Sequence, residues 1–157
     1  MKRRCLICKK IAQIKRHANP YLIKELHTGY VVIEEYQFYK GYVLFLCKRH
    51  VNELHELEDD FKTTFLTEMS IIAETVFSVF RPKKLNYELL GNTCPHLHWH
   101  IIPRHGNDPG INNPIWVINK AVRRNEAQKP TSQELDVVKG ALQKKLDEML
   151  IQISNGS

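Results

Sequence analysis

Cys94-Pro95-His96-Leu97-His98-Trp99-His100-Ile101-Ile102-Pro103-Arg104 carries a histidine at every second position, with Leu97, Trp99 and Ile101 between them. Successive side chains of an extended strand point to opposite faces. The spacing therefore predicts a strand with His96, His98 and His100 on one face, roughly 7 Å apart, and an apolar opposite face in a core. Three imidazoles in a row suit metal binding, or nucleophilic and acid–base chemistry near neutral pH.

Working outward, Lys84 to Leu90 reads as a preceding strand, with Gly91-Asn92 as the turn between the two. Further upstream, Phe61, Phe65, Met69, Ile72, Val76 and Phe80 recur at intervals of three and four. They mark one buried face of a long helix that starts at Asp59 or Asp60 and stops at Pro82. Tyr21–Leu26, Tyr30–Glu34 and the apolar run Tyr42–Cys47 read as strands joined by short links, hence an antiparallel meander. Lys9 to His17 suits a short basic helix ended by Asn19-Pro20. Downstream, residues 105–114 read as a loop. Ile115–Ile118 suits a short strand or a packed tail. Thr131-Ser132-Gln133-Glu134 forms a capping box ahead of an amphipathic helix marked by Leu135, Val138, Leu142, Leu146 and Met149.

The predicted class is α+β: a meander sheet with a long helix packed on it, plus a C-terminal helix. A length of 157 residues suggests one domain, with a core of about 5–104 and an extension of about 105–157. No window suggests a membrane span, and the basic N-terminus does not read as a secretory signal. The expectation is a cytoplasmic protein with reduced thiols. The net charge of +6 suits phosphate-bearing ligands, but the basic residues are scattered, which disfavours a nucleic-acid groove.

Cys5-Leu6-Ile7-Cys8 is a CxxC pair that can supply half of a tetrahedral zinc site. Three readings of the chemistry compete on residues alone: an all-histidine metal site, nucleophilic catalysis by one imidazole, and a structural or nucleic-acid-binding module.

The run His96-Leu97-His98-Trp99-His100-Ile101-Ile102 resembles the His-φ-His-φ-His-φ-φ signature of the histidine triad (HIT) superfamily of nucleotide hydrolases and transferases. With the Asn86–Asn92 stretch, it looks most like bacterial members described as diadenosine polyphosphate hydrolase-like. The resemblance implies that His98 attacks the α-phosphate of a nucleotide and forms a nucleotidyl-histidine intermediate. His100 would then contact phosphate or the leaving group. It implies a structural zinc on Cys5, Cys8, His50 and His96, and a homodimer. Glu34 would bind ribose, with Glu35 one position away, and Asn86, Asn92 and Thr93 would contact nucleotide or phosphate. The substrates it suggests are dinucleoside polyphosphates, nucleoside phosphoramidates and adenylylated conjugates. The competing reading is a zinc-stabilised nucleotide- or nucleic-acid-binding module with little turnover.

Overall fold

The structure is a computed structural model that describes residues 5–156. Five antiparallel strands form one sheet in the order β1-β2-β3-β5-β4. They are β1 (Leu22–Glu25), β2 (Gly29–Ile33), β3 (Val43–Cys47), β4 (Lys84–Glu88) and β5 (His98–Arg104). The first three strands follow one another as the sequence predicts. β5 inserts beside β3, and β4 takes the edge. Among the described residues there are four α-helices: α1 (Leu6–Lys15), α2 (Asp59–Phe80), the single turn α3 (Lys120–Arg123) and α4 (Ser132–Asn155).

Alternation along the strands divides the core in two. On one face Val31, Val43, Phe45 and Ile101 meet Phe65, Ile72 and Val76 of α2 and Leu142 and Leu146 of α4. Phe45 stacks on Phe65 with ring centroids 4.9 Å apart. α2 has the length and apolarity of a membrane-crossing helix. Here it lies against β5 and α4, and its apolar stripe is core. On the other face Tyr30, Val32, Leu44, Leu46 and Ile102 pack against Ile7, Ile11 and Ile14 of α1 and against Ile115. β2 approaches β3 closely at Gly29. A Cβ there would sit 2.5 Å from the Leu46 carbonyl oxygen, so the position suits only glycine.

The start of α4 and the end of α2 obey local chemistry. Thr131 and Glu134 form the anticipated reciprocal capping box. α2 ends as Arg81 turns left-handed at φ 48°, just before Pro82. A buried carboxylate fixes α2 to the β1–β2 turn. Glu68 accepts the backbone N–H groups of His27 and Thr28, at 2.8 and 3.0 Å, and the Thr28 hydroxyl.

The N-terminal helix begins at Leu6 rather than Lys9, because Cys5 caps it: its Sγ accepts the Cys8 N–H at 3.4 Å. Ile115–Val117 forms a 3-10 turn rather than a strand. β5 also differs from expectation. Pairing with β3 begins at His98 opposite Leu46, so His96 lies in the bend before the strand. Pro95 has no N–H to give a ladder. The Leu97 N–H donates to the Val51 carbonyl past β3, and its carbonyl accepts from the N–H of Cys47, the last residue of β3.

Candidate active site and metal centre

The bend before β5 turns His96 toward the N-terminal helix. His96 Nε2–H donates to the Cys47 carbonyl at 2.8 Å, which leaves Nδ1 with its lone pair. That Nδ1 lies 3.5 Å from Cys5 Sγ, 3.4 Å from Cys8 Sγ and 3.1 Å from His50 Nδ1. His50 Nδ1 is 3.1 Å from Cys8 Sγ. All four ligand atoms lie within 4.8 Å of one another. A tetrahedral zinc with bonds of about 2.0–2.3 Å separates its ligands by roughly 3.3–3.8 Å. The two thiols and two imidazoles therefore fit such an ion, and the carbonyl-bound His96 ring is already in the ligating tautomer. Four protein donors fill the shell, so an ion here closes a structural site and leaves no position for water. Burial pushes the Cys5 thiol up to about 11, a penalty that a bound cation would reverse. Cys94 lies beside this group, with its Sγ 3.8 Å from Cys5 Sγ.

His98 and His100 belong to a different arrangement. His98 is buried, and its Nδ1 lies 2.6 Å from the His96 carbonyl oxygen. A carbonyl only accepts, so Nδ1 carries the proton and Nε2 keeps the lone pair. Burial holds the imidazole below its usual pKa and therefore neutral. Its ring centroid is 4.7 Å from that of His100. His100 Nδ1 lies 2.5 Å from the Tyr42 hydroxyl. Burial pushes the Tyr42 phenol well above its ordinary value, so it stays protonated and donates. His100 Nδ1 then accepts, and its Nε2–H is free to donate. Burial and the charge of His98 push His100 down to about 3, so it too is neutral in physiological buffers.

His100 opens onto a pocket that also contains Glu34, Tyr39, Tyr42, Trp116, Arg123 and Arg124. The C-terminal segment supplies its outer wall. Trp116 packs edge-on to His100 at 6.1 Å and donates its indole N–H to Glu88 at 2.9 Å. Glu34 Oε1 accepts from Arg124 at 3.2 Å. Burial raises the Glu34 carboxyl, and the neighbouring Arg124 works against that rise.

Of the residues singled out in the sequence, the structure brings Cys5, Cys8, His50 and His96 into one cluster, and Glu34 and His100 to one pocket. Glu35 turns away to pair with Lys10 at 3.0 Å. Asn86 lies on the histidine face of the sheet, but opposite Ile102 and not opposite a histidine. Its side chain accepts from Arg104 Nη1 at 3.0 Å, and it lines a separate groove. Asn92 and Thr93 are exposed in the bend before His96.

Three residues escaped the sequence reading. Glu88, not Asn86, sits opposite His100 on the ladder. Tyr42 precedes an apolar run and gives no local sign of a polar task. Arg104 looked like a strand end. It is buried and holds the 105–114 loop by donating to Asn113 and Gly110 carbonyls at 2.8 and 3.1 Å, while lying 4.8 Å over the Tyr39 ring. Strict alternation from His98 does place Arg104 on the histidine face, and that was the available signal.

The HIT domain family matches residues 21–107, a span that holds all five strands of the sheet. The chain belongs to the HIT family. The HIT protein of Bacillus subtilis (strain 168) is 29% identical over 117 residues, covering 71% of this chain and 78% of that one. A histidine triad protein from Bradyrhizobium japonicum superposes with a TM-score of 0.71 at 23% identity, over 86% of this chain and 95% of that one. A zinc-bound histidine triad family protein from Mycobacterium smegmatis superposes with a TM-score of 0.64 at 16% identity, over 98% of each chain. These likenesses establish the fold. HIT membership supports nucleotide binding, with hydrolase or transferase activity in general.

Proposed function

We propose that this HIT protein is a nucleotidyl hydrolase or transferase that cleaves at the α-phosphate of a nucleotide conjugate, with His98 as nucleophile. One observation carries the reading. The His96 carbonyl holds the His98 Nδ1–H at 2.6 Å and so commits the lone pair to Nε2. In the first step Nε2 forms a bond to the α-phosphorus, and the bond from phosphorus to the leaving group breaks. The His100 Nε2–H donates to a phosphate or leaving-group oxygen where charge develops. In the second step water attacks the same phosphorus, the phosphorus–nitrogen bond breaks with its electron pair returning to His98 Nε2, and the proton lost by the water passes to solvent. Neutral imidazoles at both positions match these tasks: a nucleophile needs its lone pair, and a donor needs only its N–H.

Glu34 is the ribose partner in this reading, since it lines the same pocket as His100. Cys5, Cys8, His50 and His96 hold a structural zinc, which supplies no chemistry to the reaction and fixes the N-terminus against the start of β5. The zinc-bound M. smegmatis relative supports that assignment. The diadenosine polyphosphate hydrolase-like subtype, a homodimer and a cytoplasmic location belong to the same proposal.

The test is a substrate panel of diadenosine tetraphosphate, adenosine phosphoramidate and an adenylylated amine, assayed with wild type and His98→Ala. Turnover of at least one substrate that collapses in the variant is expected. Undiminished turnover by His98→Ala would sink the nucleophile assignment.

A further inference from the structure

The wall of the pocket contains a cation that makes no direct ion pair, although the Glu34 and Glu88 carboxylates lie near enough to feel its charge. Arg123 is half-buried, and among the described residues it makes no ion pair. Its neighbour Arg124 is already engaged by Glu34. Two contacts fix Arg123 instead: Nε donates to the Ile118 carbonyl at 2.9 Å, and the guanidinium lies 4.8 Å over the Trp116 ring. Nε and one face are thereby used, and the Nη groups remain to donate. Trp116 is itself held between His100 and Glu88. Arg123 is thus one aromatic ring away from the imidazole assigned to the phosphate.

A second polar group in the same pocket has no partner. Tyr39 is 2% exposed, and its buried hydroxyl finds no hydrogen bond. A buried donor left unmade costs stability, so such groups usually have an acceptor to meet. Trp116 also has a consequence for charge. Its N–H caps the Glu88 carboxylate, which faces His100 and would otherwise repel an anion. A planar guanidinium with free Nη groups is the side chain best shaped to take phosphate oxygens in pairs.

We infer that Arg123 is a specificity-determining residue. It receives the negatively charged leaving group of a nucleotide conjugate, at the phosphate next to the one that His98 attacks. Substrates with a phosphate in that position are favoured over substrates whose leaving group is an uncharged or amine-bearing moiety. The Tyr39 hydroxyl donates to the same anionic chain. This inference rests on the nucleotidyl reading of the His98 site and adds the class of leaving group to it.

The experiment is equilibrium titration of AMP and of α,β-methylene-ADP, whose bridging carbon resists cleavage, into wild type, Arg123→Ala and Arg123→Lys. Trp116 beside the ligand gives a fluorescence signal, and calorimetry gives an independent one. Wild type is expected to bind the diphosphate analogue about tenfold more tightly than AMP, a factor corresponding to about 1.4 kcal/mol. Arg123→Ala should lose that preference while holding AMP within about twofold. Arg123→Lys should keep part of it, because the charge remains without the fork. Equal weakening of both ligands in Arg123→Ala means a structural role and overturns the inference, as does a preference that survives the substitution. If wild type binds both nucleotides equally, Arg123 is not a selector but the nucleotide site stands. If wild type binds neither, the nucleotide reading itself falls, and this inference with it.

Discussion

The Nδ1 of His98 lies 2.6 Å from the carbonyl oxygen of His96, the residue two positions before it. The same short stretch of backbone thus orients the His98 ring, while the His96 side chain points away to the cysteines. His98→Asn keeps a polar side chain but removes the lone pair at Nε2. Turnover is expected to fall by at least about 10³-fold with nucleotide affinity little changed, as for loss of a nucleophile. Rapid acid-free quenching of wild type followed by intact-mass measurement should show a nucleotidyl adduct that is absent from the variant.

Zinc removal acts on a different part of the fold. Cys5, Cys8, His50 and His96 join α1, the end of β3 and the start of β5, so an ion bound there would tie three elements together and its loss would release them at once. Cys8→Ser is expected to lower zinc content well below one equivalent per chain. A loss of about 3 kcal/mol would lower Tm by roughly 10 °C in a domain of this size. Metal analysis by mass spectrometry and a thermal melt with and without chelator check this. A chelator that leaves wild-type Tm unmoved would count against the site.

His100 makes stability depend on acid. Its folded-state pKa is about 3, through burial first and the charge of His98 second. The unfolded imidazole titrates near pH 6.5. Between those values the unfolded chain binds a proton that the folded chain does not. Stability therefore falls as pH is lowered through this window, by up to about 1.4 kcal/mol per pH unit from this one group. His100→Asn should flatten the slope in urea denaturation midpoints measured from pH 7 down to pH 4. An unchanged slope would mean that His100 is not buried as described.

Arg104 anchors the segment that carries the pocket wall. Its side chain is 2% exposed and donates to Asn86, Asn113 and Gly110, with Asp108 at 3.4 Å. Arg104→Ala removes these hydrogen bonds and empties the buried space that the guanidinium fills over Tyr39, with an expected loss of about 3 kcal/mol. Arg104→Lys should recover little, since an ammonium cannot span the same fork. Denaturant melts give the magnitude, and faster proteolysis within residues 105–114 would locate the damage.

How far the sequence could be read follows from how local each signal is. The α4 capping box, the 3-4 stripe of α2 and the apolar run of β3 are carried by neighbouring residues, and each element appears where its pattern places it. The metal cluster joins positions up to 91 residues apart, yet its cysteine spacing and the histidine run made it legible through the family pattern. His96 was read as a strand residue because alternation takes no account of Pro95 or of where the partner strand ends. The family pattern implies a nucleotide contact for Asn86, and the sequence does not state its register. The ladder places Glu88 opposite His100 and leaves Asn86 with Arg104. Tyr42, Trp116 and Arg123 reach the pocket from a loop and from the C-terminal extension, and no periodicity links those segments to β5.

The family match ends at residue 107, three positions past Arg104. Beyond that point Arg104 ties residues 110–113 to β5, Trp116 donates to Glu88, Arg124 pairs with Glu34, and Leu135, Leu142 and Leu146 of α4 enter the core beside α2. The tail is therefore a structural half of the fold and not an appendage: cutting the chain after Arg104 would strip α2 of its covering helix and open the pocket wall at the same stroke.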